Sequence, residues 1–492
     1  MANNFLHGAE VQTVSDGDTS VQVTSTSIIG IVGTAPFADP TQFPLNTPVL
    51  VNGNNTALIG ALIANAQATD IDVGTLPQAI ADMLDELTPA VVVVRVQAVS
   101  TNGAQTPASY DPATIPNVVG GLDANGNALG VHVLLNAESV TGYRPRLLCA
   151  PGWTHQTTAG AVLNVAATQG GSGYTPGTYQ LVLTGAGTGA VVNAVVDAGG
   201  AVSSVAVTEN GSGYAASGTT AAMPAAAGAG TSPAEFTISV GNTDNPVIAE
   251  LSGIAQRLGA VIYADGPNVS DAAAISAAGQ GGQRVMMIDP WMIKLNRAGV
   301  MTAFPQSAKW AAKQAYVDNT IGWWASVSNK PLNGILALAR PVSFTLGDES
   351  CSANLLNGAY VSTVIRASAG FKTWGNRALD GSFLCVTRTV DIVNASLLAS
   401  ALQFVDDGVT TNFVDEVVGS VNAFLRQLKS LGAITGGKCW ADTALNTPQS
   451  VMNGQTYFDF DIGPVYPAER ITFRSSINNN YITTIFGNGS NS

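Results

Sequence analysis

Two runs in this chain, Ile28-Ile29-Gly30-Ile31-Val32 and Ala90–Val96 (Ala-Val-Val-Val-Val-Arg-Val), are apolar at nearly every position. A strand with one wet face alternates polar and apolar residues; a strand that does not alternate is covered on both faces. The chain must therefore supply helices for both sides of a sheet. Thr75 is a candidate cap with Pro77 in the first turn, and Ile80, Met83, Leu84 and Leu87 follow at helical spacing until Pro89 stops the pattern. A third apolar run, 146–150, ends in Pro151-Gly152-Trp153. The same grammar resumes at Pro246, with helices expected at 247–258, 271–278 and 307–326 and strands at 260–264 and 284–288. Strands alternating with helices specify a mainly parallel α/β sheet.

The pattern is interrupted by residues 156–245, which are rich in Gly, Ala, Thr and Val and almost free of charge. Gly171-Ser172-Gly173-Tyr174 returns as Gly211-Ser212-Gly213-Tyr214, each copy after a valine-rich stretch of period two. That is the signature of a small repeated β domain inserted into a loop of the α/β domain. The whole chain shares its neutrality. Lys+Arg number 20 and Asp+Glu 33, only 11% of 492 residues, and glycines number 53. An ordinary soluble domain carries roughly a quarter charged residues. So neutral an exterior is expected to be buried between subunits. The net charge of −13 argues against a nucleic-acid partner. No run approaches the roughly 18 apolar residues of a membrane span, and the N-terminus lacks the basic and apolar regions of an export signal. Neither membrane insertion nor export is expected.

The last third reads as α+β. A strand is expected at 383–390, helices at 395–404 and 411–431, and strand-like segments at 455–462, 469–477 and 481–486. The 411–431 helix sets Phe413, Val417, Val421, Phe424, Leu428 and Leu431 on one face, and Asn422, Arg426 and Lys429 on a polar stripe. That stripe is either solvated or a docking face for an acidic partner. Residues 8–24 and 478–487 have strand character, through Val11, Val14, Val21 and Val23 and through Tyr481, Ile482, Ile485 and Phe486, but no obvious partner in their own flanks.

Motifs for chemistry fail on context. Residues 432–439 fit GxxxxGK, with Cys439 where a hydroxyl is required, but a helix precedes the loop and a strand-like segment follows it. Gly185-Ala186-Gly187-Thr188-Gly189 is followed by period-two valines rather than a helix. His7, His132 and His155 are scattered, and Cys149, Cys351, Cys385 and Cys439 form no CxxC, so they read as buried thiols. No catalytic, cofactor or metal site is expected.

Several short stretches taken together resemble the tail sheath proteins of contractile bacteriophages. They are Gly322-Trp323-Trp324-Ala325-Ser326 with Ser328-Asn329, Ala339-Arg340-Pro341-Val342 with Ser343-Phe344, and Trp374-Gly375-Asn376-Arg377. Further along lie Cys439-Trp440-Ala441-Asp442, Asn446-Thr447-Pro448, and Gly463-Pro464 with Pro467-Ala468-Glu469. Residues 28–34, Gly74-Thr75-Leu76-Pro77, Ala150-Pro151-Gly152 and Asp289-Pro290-Trp291 also fit, so the resemblance covers all but the 156–245 insertion.

The resemblance implies a structural, non-enzymatic subunit of the virion, assembled in the host cytoplasm. Such subunits polymerise as a helical sleeve of stacked rings around a tail tube and contract to drive the tube through a host envelope. Its partners would be further copies of itself, the tube protein, and baseplate and tail terminator proteins. The implied divisions are an N-terminal arm at 1–26, an outer α/β domain at 27–155 with 246–343, the outermost insertion at 156–245, an inner α+β core at 344–477, and a C-terminal arm at 478–492. Arm strands carrying Val11, Val14, Val21, Val23, Tyr481, Ile482, Ile485 and Phe486 would complete a sheet in a neighbour. Asn422, Arg426 and Lys429 would face the tube. The competing reading is a phage fibre or adhesin that binds the host surface through its Gly-rich β repeat.

Overall fold

The computed structural model describes residues 21–99, 111–157, 160–279, 281–368 and 370–479. The elements used below, in chain order, are β1 (Ile29–Thr34), β2 (Pro48–Asn52), α1 (Thr75–Leu84), β3 (Ala90–Val96), β4 (Leu147–Cys149), α2 (Pro246–Leu258), β5 (Val261–Asp265), α3 (Asp271–Ala278), β6 (Val285–Ile288) and α4 (Ser307–Thr320). They form a six-stranded sheet in the order β6-β5-β4-β1-β3-β2, with β2 antiparallel to β3 and the other neighbours parallel. The unbroken apolar runs divide by parity. Ile29, Ile31, Val91 and Val93 pack toward α1 and α4, while Val32, Val94, Leu148 and Ile262 pack toward α2 and α3. Each run feeds two cores, which is why neither alternates. Helix α4 stops earlier than expected because Gly322, at φ 136°, turns its N–H back to the Val317 carbonyl.

Some of the scarce charge is inside. Lys309 and Lys313, on α4, are buried with Asp82 and Glu86 at the end of α1, and Asp85 lies at the exposed rim of the group. Lys309 Nζ lies 2.9 Å from Asp85, Lys294 Nζ lies 2.6 Å from both Asp82 and Asp85, and Lys313 pairs with Glu86. Buried charges persist only when paired and hydrogen-bonded. Here they bolt α1 to α4.

The insertion is built of two interlocked units. Strand Ala161–Gln169 of the first pairs with Glu235–Gly241 of the second, and Val202–Ser212 of the second pairs with Thr188–Val196 of the first. Val182–Thr184 pairs with Thr220–Ala222 near the junction. The repeated motif has the same backbone in both copies: Gly171 and Gly173 lie at φ 65° and 81°, and Gly211 and Gly213 at 61° and 75°. Only glycine takes such angles without strain, which explains the motif's two glycines. The tyrosine after each pair is buried, and the exchange is reciprocal: Tyr174 N–H donates to the Gly200 carbonyl and Tyr214 N–H to the Gly160 carbonyl. Asn245 closes the stem. Its Oδ1 caps the N–H groups of Val247 and Ile248, while its Nδ2 donates to the carbonyls of Trp153 and Gln156 on the incoming strand of chain.

Three elements of the last third differ from expectation or sharpen it. Residues 383–390 are not a strand; helix α5 runs through Leu384–Ala401. Its β-branched residues suggested a strand, but Leu384, Arg388 and Ile392, and Cys385, Thr389, Val393 and Ser396, recur at the three- and four-residue spacing of a helix and are buried. The Thr389 hydroxyl bonds the Cys385 carbonyl within the turn. Helix α6 spans Thr411–Ser430, and a hairpin of β7 (Ile434–Ala441) and β8 (Phe458–Pro464) follows. Strand β7 runs straight through Gly436-Gly437-Lys438, so the GxxxxGK stretch is no phosphate loop. Residues 469–477, expected as a strand, carry neither strand nor helix. Among the described residues, Leu384–Phe404 alone is long and apolar enough to cross a membrane, yet 44% of it is buried in the protein. The four cysteines are free and buried.

Because each unit supplies strands to the other, Tyr214→Ala is expected to unfold both at once. The lost aromatic packing costs about 3 kcal/mol. Calorimetry with limited proteolysis should show the insertion's transition falling while that of the six-stranded sheet stays in place.

Candidate assembly interface

The C-terminal module hangs on one buried arginine. Arg388 on α5 donates to Asp318 at the end of α4 (Nη1 to Oδ1 2.7 Å), to the Trp323 carbonyl and to the Thr26 carbonyl, so three separate segments meet at one guanidinium. Burial alone would lower its pKa; the Asp318 carboxylate reverses that and holds it above the ordinary value. One turn away Asp391 pairs with Arg284 at the start of β6. The N-terminal segment crosses the same helix. Val21 is buried with Trp323, Ile392, Val393, Phe424, Leu425 and Leu428, Val23 packs at the edge of that cluster, and Thr24 N–H reaches Ser396 Oγ. The candidate arm residue Val21 thus sits in its own chain's core, with Val23 half-buried beside it. Val11, Val14, Tyr481, Ile482, Ile485 and Phe486 lie outside the described residues.

Helix α6 packs on β7. Asn422, expected on a tube-facing polar stripe, instead turns to β7: its Oδ1 accepts from Cys439 N–H and its Nδ2 donates to the Cys439 carbonyl, each at 2.9 Å. A side-chain amide presents the donor and acceptor of a peptide group, so the helix closes that edge of the hairpin at this point. Arg426 and Lys429, on the same stripe one and two turns on, are exposed. The pairing also orients β8. Cys439 lies opposite Phe460. In an antiparallel pair, a residue whose main-chain groups face away from its partner strand faces a partner that does the same. The N–H and C=O of Phe460, and of Phe458 and Ile462 two residues either side, therefore point out of the hairpin, on the edge opposite Asn422. The sequence marked these positions only as an alternation of Phe458, Phe460 and Ile462 with Tyr457, Asp459 and Asp461.

Beyond β8 the chain runs across its own surface. Ile471, Phe473 and Ile477 alternate with polar residues and are 68%, 92% and 94% exposed. A Phe and an Ile this bare pack on nothing among the described residues. Among the described residues, an outward-facing strand edge and an exposed apolar segment leave from the same hairpin.

Residues 380–478, from just before α5 to this segment, match the family profile of the phage tail sheath C-terminal domain. Over 99% of its length the chain is 29% identical to the tail sheath protein of Burkholderia phage BcepMu, covering 100% of it. It is 26% identical to the tail sheath protein of Escherichia phage P2, across 98% of each chain. Over nearly its full length the chain is thus similar to phage tail sheath proteins. Its fold is that of the helical sheath of the anti-feeding prophage in the contracted state, with a TM-score of 0.57 at 14% identity over 97% of this chain and 100% of that one.

In many α/β folds a ligand occupies the crevice at the carboxyl ends of the strands. In this chain that position is filled by Trp153, Asp265, Gln306 and Ser307, all fully buried. Asp265, at the end of β5, accepts from the N–H groups of Gly152, Gln306 and Ser307 and from the Ser307 hydroxyl, which caps α4. Burial raises its pKa to about 6 against the opposing pull of these donors.

Two outcomes follow for stability. The proton bound by Asp265 favours the folded state, so its contribution is full below about pH 4 and is lost as pH rises through 6. Asp265→Asn should flatten that slope in urea titrations across this window. Arg388→Met leaves Asp318 buried and unpaired and should cost about 3–5 kcal/mol in urea unfolding. Replacing both partners with apolar residues should recover much of the loss.

Proposed function

We propose that this chain is the repeating subunit of a contractile tail sheath whose copies are laced together by strand donation between hairpins. The carrying observation is the presence of an outward-facing β8 edge and of an exposed, alternating apolar segment at 471–477 in the same chain, each offering what the other can take. An arm from a neighbouring copy adds a strand to β8, and its apolar residues extend the face on which Phe458 meets Phe413 and Phe460 packs against the cluster of Trp323 and Phe424. Main-chain hydrogen bonds supply the connection, each worth about 1 kcal/mol net, so the link tolerates sequence change. A head-to-tail contact of this kind does not close on itself and yields a helix, as a sleeve requires. The N-terminal arm is the second donor, leaving the body where Val21 is anchored on α5.

The subunit does no chemistry. Its work is the release of free energy when folded bodies exchange one set of contacts for a larger set, while donated strands keep neighbours attached. The buried pairs at Arg388 and at Lys309–Lys313 hold each body rigid during that exchange. Arg426 and Lys429, at the cationic end of α6, face an acidic tail tube. Baseplate and terminator proteins bound the sleeve at its two ends, and the insertion lies on its outside. Assembly takes place in the host cytoplasm and the product is part of the virion.

Negative-stain microscopy of the purified protein should show hollow tubes of uniform width. Phe460→Pro removes an N–H that points away from β7, so the hairpin survives. The variant should keep its monomer circular dichroism and form few tubes. Normal tubes from this variant would move the accepting edge elsewhere.

A further inference from the structure

The C-terminal segment leaves the body through a clamp. Arg377, in Trp374-Gly375-Asn376-Arg377, meets Glu469 with two prongs, Nε to Oε1 at 2.9 Å and Nη2 to Oε2 at 2.5 Å. Its Nη1 donates to the Gly381 carbonyl at 2.5 Å, and the guanidinium lies over the Phe383 ring, 3.9 Å from the centroid. Tyr466 meets the same ring edge-on at 6.0 Å. Two side chains at the root of the segment, Tyr466 and Glu469, therefore grip one stack.

The stack is itself fixed to the sheet. Leu379, buried in the loop between Arg377 and Phe383, donates its N–H to the Val285 carbonyl in β6. Gly375 N–H bonds Ser328 Oγ, and Leu384 N–H at the start of α5 bonds the Asn376 carbonyl. A path of bonds runs from the six-stranded sheet through this loop to Glu469, and the exposed residues Ile471, Phe473 and Ile477 begin two positions later. The next pair outward, Arg470 with Glu349 at 3.5 Å, has both side chains 82% exposed and adds little.

Arg377 and Glu469 are themselves 29% and 42% exposed, so their ion pair contributes little to folding. What a forked, ring-stacked guanidinium supplies is direction. We infer that the Arg377–Glu469 clamp aims the C-terminal arm at a second copy of this chain, which makes Arg377 a positioning residue for assembly. This rests on the strand donation proposed above. An arm held in its docking direction loses less freedom on binding, so the clamp favours assembly without adding a contact to the interface.

The test uses the full-length chain with R377E, E469R and the double swap, beside a truncation after Arg470. Each single variant should unfold at the wild-type temperature, exchange the amides of 466–478 faster by about tenfold, and lower tube yield by a similar factor. The double swap should restore both exchange protection and tubes. Wild-type tube yield from R377E, when the truncation makes none, overturns the clamp and leaves strand donation standing. Loss of tubes that the swap fails to rescue also overturns it, since a reversed pair would then not serve. Normal tubes from the truncation overturn strand donation and the clamp with it.

Discussion

The buried contact between Arg388 and Asp318 is the constraint on which the rest depends. It joins α4 of the six-stranded sheet to α5 of the C-terminal module and takes the Thr26 carbonyl of the N-terminal segment as a third ligand. An isolated charge at this depth would be strongly unfavourable, so the three segments must arrive together or not at all. Both ends of the described chain are thereby referred to one point. Val21 packs on the face of α5 beside it, and the C-terminal segment leaves from a loop bonded to α5's first turn.

The shortage of charge takes a different meaning once the pairs are placed. Lys309, Lys313, Asp82, Glu86, Arg388 and Asp318 are among the few charges the chain has, and they are interior. They lock the body, where nothing needs to slide. Other charges, Arg426, Lys429, Arg470 and Glu349 among them, are exposed.

Much of the sheet was legible in the sequence, because a strand buried on both faces can be written in only one way. Ile28–Val32 and Ala90–Val96 announced β1 and β3, and the helices that cover them showed their apolar stripes. The repeat in the insertion was also legible, since Gly171, Gly173, Gly211 and Gly213 are needed for one backbone shape. Residues 383–390 were misread because Val386, Thr387, Thr389 and Val390 favour strands locally, and burial on α4 and α6 outweighed that preference. Asn422 was misread for a related reason. Helical spacing placed it with Arg426 and Lys429, but spacing says nothing about the strand edge that stands opposite.

What the sequence determined by itself is the set of elements and their periods, because those follow from local sterics and from where apolar residues recur. Only the tertiary structure decided which edges and segments remain unpartnered. Asn422 closes β7 and leaves β8 open, and Glu469 meets Arg377 across ninety-odd residues of chain. Hydrogen-bond partners distant in sequence leave no mark in local composition, since a glutamate that clamps an arm and a glutamate in water are the same residue until the fold brings something beside it.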